Sequence, residues 1–501
     1  MEFLFYVVIC GFLFLYLLAK LLKSQNSRTQ KTLPPGPRKL PGIGNMHQLL
    51  GSQTHQILAD LAAKHGPLMH LQLGLVSTVV VSSPQVAEEV MKTKDIIFAQ
   101  RPYLLASRIL SYDSTNICFS PCGDYWRQLR RISTVELLST KRVLSFRSIR
   151  EEEMFNLMAS ISSSNQKGST FNLSRGLFSM TYTVTARAAF GKPSKQQEEL
   201  IKLTGKVVEV FEGFSFADMY PAVKLLETIT GLRPKTLKLH KSMDAILQLI
   251  LREHRDRRMK AQISEEEEDL VDVLLRIQEN GDLEIQLTDN NIKAVILDMY
   301  IAGSETSSTS MEWTMSEMLK NPKVMKRAQA EVRKAFSKTR TVDESRLHEL
   351  KYLQAVIKET FRLHPPLPLL LPRECRESCE INGYEIPEKS KVIVNVWAIG
   401  RDPEYWTEAE KFNPDRFLDS TVDYKGTDFE FIPFGAGRRI CPGVSFALAN
   451  MEFPLAKLLY HFDWKFPGGQ KPEELDMTET FGLTVRRKND LNLIPIPYEE
   501  S

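Results

Sequence analysis

One stretch of this sequence combines a thiol with surroundings that favour its anion: Phe434-Gly435-Ala436-Gly437-Arg438-Arg439-Ile440-Cys441-Pro442-Gly443. The two loop glycines, and the Pro-Gly after the cysteine, permit a tight backbone able to approach a flat cofactor closely. Peptide N–H groups in such a turn can point at sulfur, and Arg438 and Arg439 add positive field. Both effects lower a thiol's pKa and favour the metal-ligating thiolate. Arg439 could instead bind a carboxylate. A helix-like apolar run from Val444 to Tyr460 follows, so Cys441 sits near a helix N-terminus, which again favours negative sulfur.

A second unusual stretch lies within the longest helix candidate, which runs from an N-cap at Thr288 to Asn321, just before Pro322. Ile292, Val295, Ile296 and Met299 form an apolar stripe at its start. Its centre then turns small and polar: Ala302-Gly303-Ser304-Glu305-Thr306-Ser307-Ser308-Thr309-Ser310. Weak helix formers and polar groups in mid-core imply a ligand, a water chain or a kink there. The competing reading is an exposed helix with a serine-rich face. Glu359 and Arg362, at i and i+3, share a helix face and can pair.

The cysteine stretch resembles the F-x-x-G-x-R-x-C-x-G haem loop of the cytochrome P450 family at every fixed position: Phe434, Gly437, Arg439, Cys441 and Gly443. Further segments match in the family's order. Trp126-Arg127-Gln128-Leu129-Arg130 is similar to its W-x-x-x-R, Ala302–Thr306 to its oxygen-binding A-G-x-[D/E]-T, and Glu359–Arg362 to its E-x-x-R. Asn413-Pro414-Asp415-Arg416-Phe417 resembles its P-E-R-F segment, with Asp in place of Glu. The likeness covers essentially the whole chain and is nearest to plant microsomal members that hydroxylate terpenoids.

The resemblance implies heme b (iron protoporphyrin IX) ligated by Cys441, with Trp126, Arg130, Arg373 and Arg439 serving its propionates. Glu359, Arg362 and Arg416 would form a structural charge network behind it. On the far face Gly303 would leave room for dioxygen, the Thr306 hydroxyl would bond to that oxygen, and Glu305 would help relay protons. A thiolate ligand in such enzymes favours O–O cleavage. Family register names Ile109, Ile301, Leu369, Leu370 and Leu483 as substrate-facing. All are aliphatic, which suits a hydrocarbon-like terpenoid that is hydroxylated or epoxidised, though related plant members also oxidise indole alkaloids. The alternatives are a haem-thiolate isomerase or dehydratase needing no reductase, and a non-catalytic haem sensor. The Glu305–Thr306 pair favours oxygen activation over both.

The chain shows no site for taking electrons from NADPH itself. Gly42-Ile43-Gly44 has His47 where the dinucleotide fingerprint needs Gly, and Gly435-Ala436-Gly437 has Ile440 there. The implied partner is a separate NADPH–cytochrome P450 reductase, besides dioxygen and a small apolar substrate.

The elements that position these residues are mostly helical by periodicity, with short β-type runs at Met69–Leu73, Thr78–Val81 and Lys391–Val396. The expected architecture is mainly α with small β-sheets. With 65 Lys+Arg against 62 Asp+Glu, the net charge of +3 gives no case for nucleic-acid binding. Six cysteines in 501 residues exclude a secreted disulfide scaffold, and the pairs Cys118/Cys122 and Cys375/Cys379 read as reduced thiols.

Ahead of the catalytic region, Phe3–Ala19 carries no charge and as a helix spans about 26 Å. Lys20, Lys23, Arg28 and Lys31 follow it, which predicts a single-pass anchor with the carboxy-terminal bulk in the cytosol. For the family this means the endoplasmic reticulum membrane. The expected organisation is an anchor over 1–23, a linker and Pro-rich hinge over 24–37, and the catalytic domain over 38–501.

Overall fold

The computed structural model describes residues 32–499 except 52, 167–168, 192–194, 212–214, 261–263, 265–266, 282, 481 and 483. The anchor expected over residues 1–23, most of the linker, and Leu483 lie outside the described residues. Among the described residues no helix is long and apolar enough to cross a membrane.

The chain is mainly helical, with four small sheets among the described residues. In the largest sheet β1 (Leu68–Leu73) and β2 (Val76–Val81) form an antiparallel hairpin. Beyond β2 the order continues through a parallel partner to an antiparallel edge strand. That edge strand is β3 (Arg373–Glu374), and the strand between is β4 (Lys391–Val394). The expected third strand is two residues shorter than its β-branched run. Asn395 ends it by capping a short helix, its side chain accepting the Ala398 N–H at 3.1 Å.

The Pro-rich segment lies along this sheet. The Pro35 carbonyl accepts the His70 N–H at 2.8 Å, and a Cβ on Gly36 would lie 2.0 Å from the His70 carbonyl oxygen. Only glycine permits that approach.

Five helices position the site: α1 (Asp124–Ile132), α2 (Leu173–Phe190), α3 (Asp289–Lys320), α4 (Lys351–Leu363) and α5 (Val444–His461). α3 is the helix expected from the sequence. Thr288 caps it in a reciprocal box with Asn291, and it runs unbroken for 32 residues. Its two halves belong to different cores. Ile292, Val295 and Ile296 pack with Tyr182 and Ala186 of α2. Met311, Met315 and Met318 pack with Val356 and Phe361 of α4 and Met451 of α5.

The polar centre of α3 therefore spans the seam between two apolar cores. Most of its hydroxyls avoid a desolvation penalty by bonding back into the helix, while Ser307 Oγ is buried without a partner among the described residues. Ser304, Thr306, Ser310 and Thr314 donate to carbonyls four residues earlier, at 2.7–2.8 Å.

Candidate functional site

At that seam lies a cavity of about 230 Å3 bounded by α1, α2, α3, the start of α5 and the loop after α4. Cys441 forms part of its wall, together with Trp126, Arg130, Ala302, Gly303, Thr306, Leu370, Arg373, Phe434, Arg439 and Gly443. Residues separated by more than 300 positions in sequence thus converge on one space.

The cysteine loop is closed by the Cys441 N–H donating to the Phe434 carbonyl at 2.9 Å. The Gly443 N–H points at Cys441 Sγ from 3.3 Å. Burial pushes the thiol up, while the Gly443 N–H and the charge of Arg130 pull it down. A cation beside the sulfur would complete the stabilisation of the thiolate. Phe434 is fixed edge-on by Phe361 and Tyr424, with ring centroids 5.1 and 5.7 Å away.

Gly437 is placed differently from its neighbours. At φ +67° its bare Cα lies against the Met91 carbonyl, which a Cβ would approach to 2.0 Å, and it does not border the cavity. The reason is Asp95. Its carboxylate accepts from the Arg438 N–H at 2.8 Å and from Arg373 at 3.0 Å, drawing that turn onto the Met91 segment.

Four guanidinium groups border the cavity: Arg101, Arg130, Arg373 and Arg439. Arg373 is held by Asp95 and the Ala436 carbonyl. Arg439 donates to the carbonyls of Ala99, Ile117 and Ser120 and lies 4.0 Å from the Trp126 ring centroid. The Trp126 indole N–H donates to the Ile117 carbonyl at 3.2 Å, so here it is directed at backbone.

Arg101 had no motif to mark it. Its guanidinium binds the carbonyls of Cys118, Leu371 and Pro372. Burial, then the like charges of Arg439 and Arg373, depress its pKa. Such a cluster is short of counter-anions.

Asp298 was likewise not anticipated. It lies in the wall, where burial raises its pKa to about 6. Its oxygens accept from Asn116 Nδ2 at 2.6 Å and from the N–H groups of Ile117 and Cys118 at 2.9 and 3.0 Å. An acidic residue between Leu297 and Met299, in an otherwise apolar stripe, was the available signal.

The acid and alcohol of α3 are held by different partners, although both border the adjoining cavity described below. Thr306 borders the cavity, and its Oγ1 donates to the Ala302 carbonyl at 2.7 Å. Glu305 is buried, and its carboxylate accepts from Tyr182 at 2.8 Å and Thr484 at 3.0 Å. A Cβ on Gly303 would come within 3.1 Å of Phe446 and 3.2 Å of Thr185, so its missing side chain also serves helix packing.

An adjoining cavity of about 110 Å3 shares Thr306, Ala302, Leu367 and Leu371 with the first, and Ile301 borders it. Leu110, Phe119, Val207 and Phe211 complete much of its apolar wall, and no motif pointed to them. Leu369 and Leu370 border a third cavity beside it. Ile109 is half-buried and borders none of these cavities, whereas its neighbour Leu110 does.

Behind the cysteine side lies a buried ion network. Both Glu359 oxygens accept from Arg362 at 2.7 Å, and one also accepts from Arg416 Nε at 3.0 Å. Arg362 spends its remaining donors on the carbonyls of Gly400, Ala409 and Lys411.

Comparison with known proteins gives this arrangement a context. The family model for Cytochrome P450 matches residues 34–492. Tabersonine 16-hydroxylase 1 of Catharanthus roseus is 54% identical over 509 aligned residues, covering 100% of this chain and 99% of that protein. Premnaspirodiene oxygenase of Hyoscyamus muticus is 51% identical, with 99% of each chain covered. A zebra fish cytochrome P450 solved with progesterone superposes with a TM-score of 0.75 at 25% identity, over 89% of this chain and 99% of that one.

The residues present fit a haem. A buried thiol faces the cavity with a peptide N–H already aimed at it, and the surrounding guanidinium cluster lacks the anions that two propionates would supply. Among the described residues Arg130 finds no side-chain hydrogen-bond or ion-pair partner and stands free to take one. The thiol, the cationic cluster and the family match across nearly the whole chain lead to one conclusion: this protein belongs to the cytochrome P450 family, as a haem-thiolate monooxygenase whose NADPH electrons come from a reductase.

Proposed function

We propose that the enzyme inserts one atom of dioxygen into an apolar plant specialised metabolite, most simply a sesquiterpenoid or diterpenoid. The observation that carries this reading is the largely apolar space next to Thr306, walled by Ile301, Leu110, Leu367, Leu371, Phe119 and Phe211. Such walls reward burial of a hydrocarbon skeleton by about 25 cal/mol per Å2 of apolar surface. They give little purchase to a highly charged molecule.

Cys441 would hold the iron, and Arg130, Arg373, Arg439 and Trp126 would surround the propionate edge, joined by Arg101. When bound, haem with a thiolate ligand supplies the oxygen-activating chemistry. The chain's own part is to place the substrate, exclude water and manage protons. The Thr306 hydroxyl borders both cavities and can redirect its hydrogen bond from the Ala302 carbonyl toward a ligand. Glu305 holds a carboxylate one residue away, tethered to Tyr182 and Thr484.

The likeness to a tabersonine hydroxylase supports a second substrate reading, an indole alkaloid oxidised by the same chemistry. In either case the electron donor is taken to be a membrane-bound NADPH–cytochrome P450 reductase. Residues 1–23 would anchor the chain in the endoplasmic reticulum membrane, with residues 38–501 as the cytosolic catalytic domain.

The test supplies microsomes carrying this chain and a reductase with NADPH and a panel of terpenoids and indole alkaloids. Mass spectrometry should find a product heavier by one oxygen atom with a terpenoid. Oxidation of alkaloids alone would replace the terpenoid reading. Rearranged product without NADPH would replace monooxygenation of that substrate altogether.

A further inference from the structure

Strand β4 presents Lys391 and Ile393 on one face and Val392 and Val394 on the other, as the two-residue period requires. The two valines enter the apolar core on their side of the sheet. Lys391 and Ile393 instead border the third cavity, about 150 Å3, between Leu369, Leu371 and Phe211. Lys391 is only 5% exposed, yet among the described residues its ammonium finds no hydrogen-bond or ion-pair partner. A buried ammonium without a partner is costly.

Three further groups share the neighbourhood. Asp218 also borders the cavity, and its carboxylate accepts one hydrogen bond, from the Leu105 N–H at 2.8 Å. Glu374 is the ladder partner of Lys391 on β3, outside ion-pair distance. Thr78, its ladder partner on β2, is fully buried with an unpartnered hydroxyl. An ammonium and a carboxylate thus border one small apolar space without touching each other.

We infer that Lys391 and Asp218 anchor a neutral hydroxyl on an otherwise apolar ligand, at the end away from Thr306. A hydroxyl accepts from the ammonium and donates to the carboxylate, so one group satisfies both. A free carboxylate would be repelled by Asp218 and Glu374, and an amine would leave Lys391 unpaired. The cavity shares Leu367 and Leu371 with the two cavities that Thr306 borders, so a single molecule can span from anchor to reacting end. The inference rests on the monooxygenase reading and narrows its substrate to one already bearing an alcohol. A hydroxylation or hydration must then precede this enzyme's step.

The test measures equilibrium dialysis of two probes, the diterpene abietadiene and its primary alcohol abietadienol, on the detergent-solubilised, haem-loaded full chain. The alcohol should bind at least about tenfold more tightly than the hydrocarbon. Lys391→Met and Asp218→Asn should each weaken alcohol binding roughly ten- to a hundredfold, as expected when a charged hydrogen-bond partner is lost. Hydrocarbon affinity should stay level or rise, which also reports that each variant is folded, and Lys391→Gln serves if the methionine variant fails that check.

Equal binding of the two probes, no binding of either, or a preference that survives Lys391→Met would overturn the anchor and leave water as the occupant. Failure of the monooxygenase reading looks different: the alcohol preference persists while NADPH and reductase yield no oxygenated product.

Discussion

The Tyr182 hydroxyl donates to Glu305 at 2.8 Å, linking α2 to the one carboxylate in the polar centre of α3. Both groups are buried, and burial together with the Glu305 charge pushes the Tyr182 phenol far up, so it stays a donor at any physiological pH. Tyr182→Phe should remove that donor and lower unfolding free energy by about 1–3 kcal/mol, measured by urea titration. If Glu305 relays protons, product formed per NADPH consumed should fall as well. Unchanged coupling alongside the stability loss would make Glu305 a packing residue only.

Cys441→Ala should leave the loop folded, because the Cys441 N–H to Phe434 carbonyl bond is a backbone contact. The loss would fall on the iron. Reduced, CO-treated protein should no longer show the red-shifted Soret band of a thiolate-ligated haem. Persistence of that band in the variant would reassign the ligand.

The pair Glu359 and Arg362 is fully buried, so their attraction is little screened. Glu359→Gln keeps the shape but strands the Arg362 guanidinium without its counter-charge. The expected cost is about 3–5 kcal/mol, the scale for breaking a buried pair on one side. Thermal denaturation reads it directly. A shift of a degree or less would mean that the backbone carbonyls of Gly400, Ala409 and Lys411 suffice.

How much of this was legible in sequence followed the range of each interaction. The Thr288 cap, the limits of α3 and the Glu359–Arg362 pair depend on residues three or four apart, and spacing alone exposed them. The cysteine loop was legible because its turn packs the needed residue types into ten positions. Arg101, Asp298 and Lys391 were not, because each gains its meaning from chain brought close by the fold. Arg101 meets Leu371, 270 residues away, and Asp298 meets Asn116, 182 away. The same limit explains Gly437, whose freedom from a Cβ is used against Met91 and not toward the cavity.

A second buried cluster makes stability depend on pH in two opposite senses. Glu479 would be raised by burial, but the imidazoles of His364, 3.8 Å away, and His55, hydrogen-bonded at 3.0 Å, outweigh that and hold it at about 2. A depressed carboxyl stabilises above its unfolded pKa, roughly 4.3, and the contribution is lost as pH falls toward 2. His364 is raised despite burial, chiefly by Glu317 at 2.7 Å, and then by Glu479. A raised imidazole stabilises fully below about 6.5, and that contribution is lost as pH rises through the folded value. Glu479→Gln should flatten the acid limb of a stability–pH curve, and His364→Gln the limb above neutrality. Unaltered limbs would place the titrating groups elsewhere.

Removing residues 1–23 should change where the protein sits without changing what it binds. The described chain is already tied to its sheets ahead of the domain proper. The Thr32 carbonyl accepts the Glu385 N–H at 3.1 Å, and the Pro35 carbonyl accepts the His70 N–H at 2.8 Å. A cut at residue 23 breaks none of these bonds, so the shortened chain should keep its haem and its thermal midpoint. The full chain should resist alkaline carbonate extraction from membranes, as an uncharged span of 17 residues followed by basic ones implies. The shortened chain should wash off, or be held only by salt-sensitive contacts. If it still resists extraction, the membrane attachment lies in the catalytic domain, and the exposed apolar side chains Phe216, Leu225 and Ile229 become the first place to look.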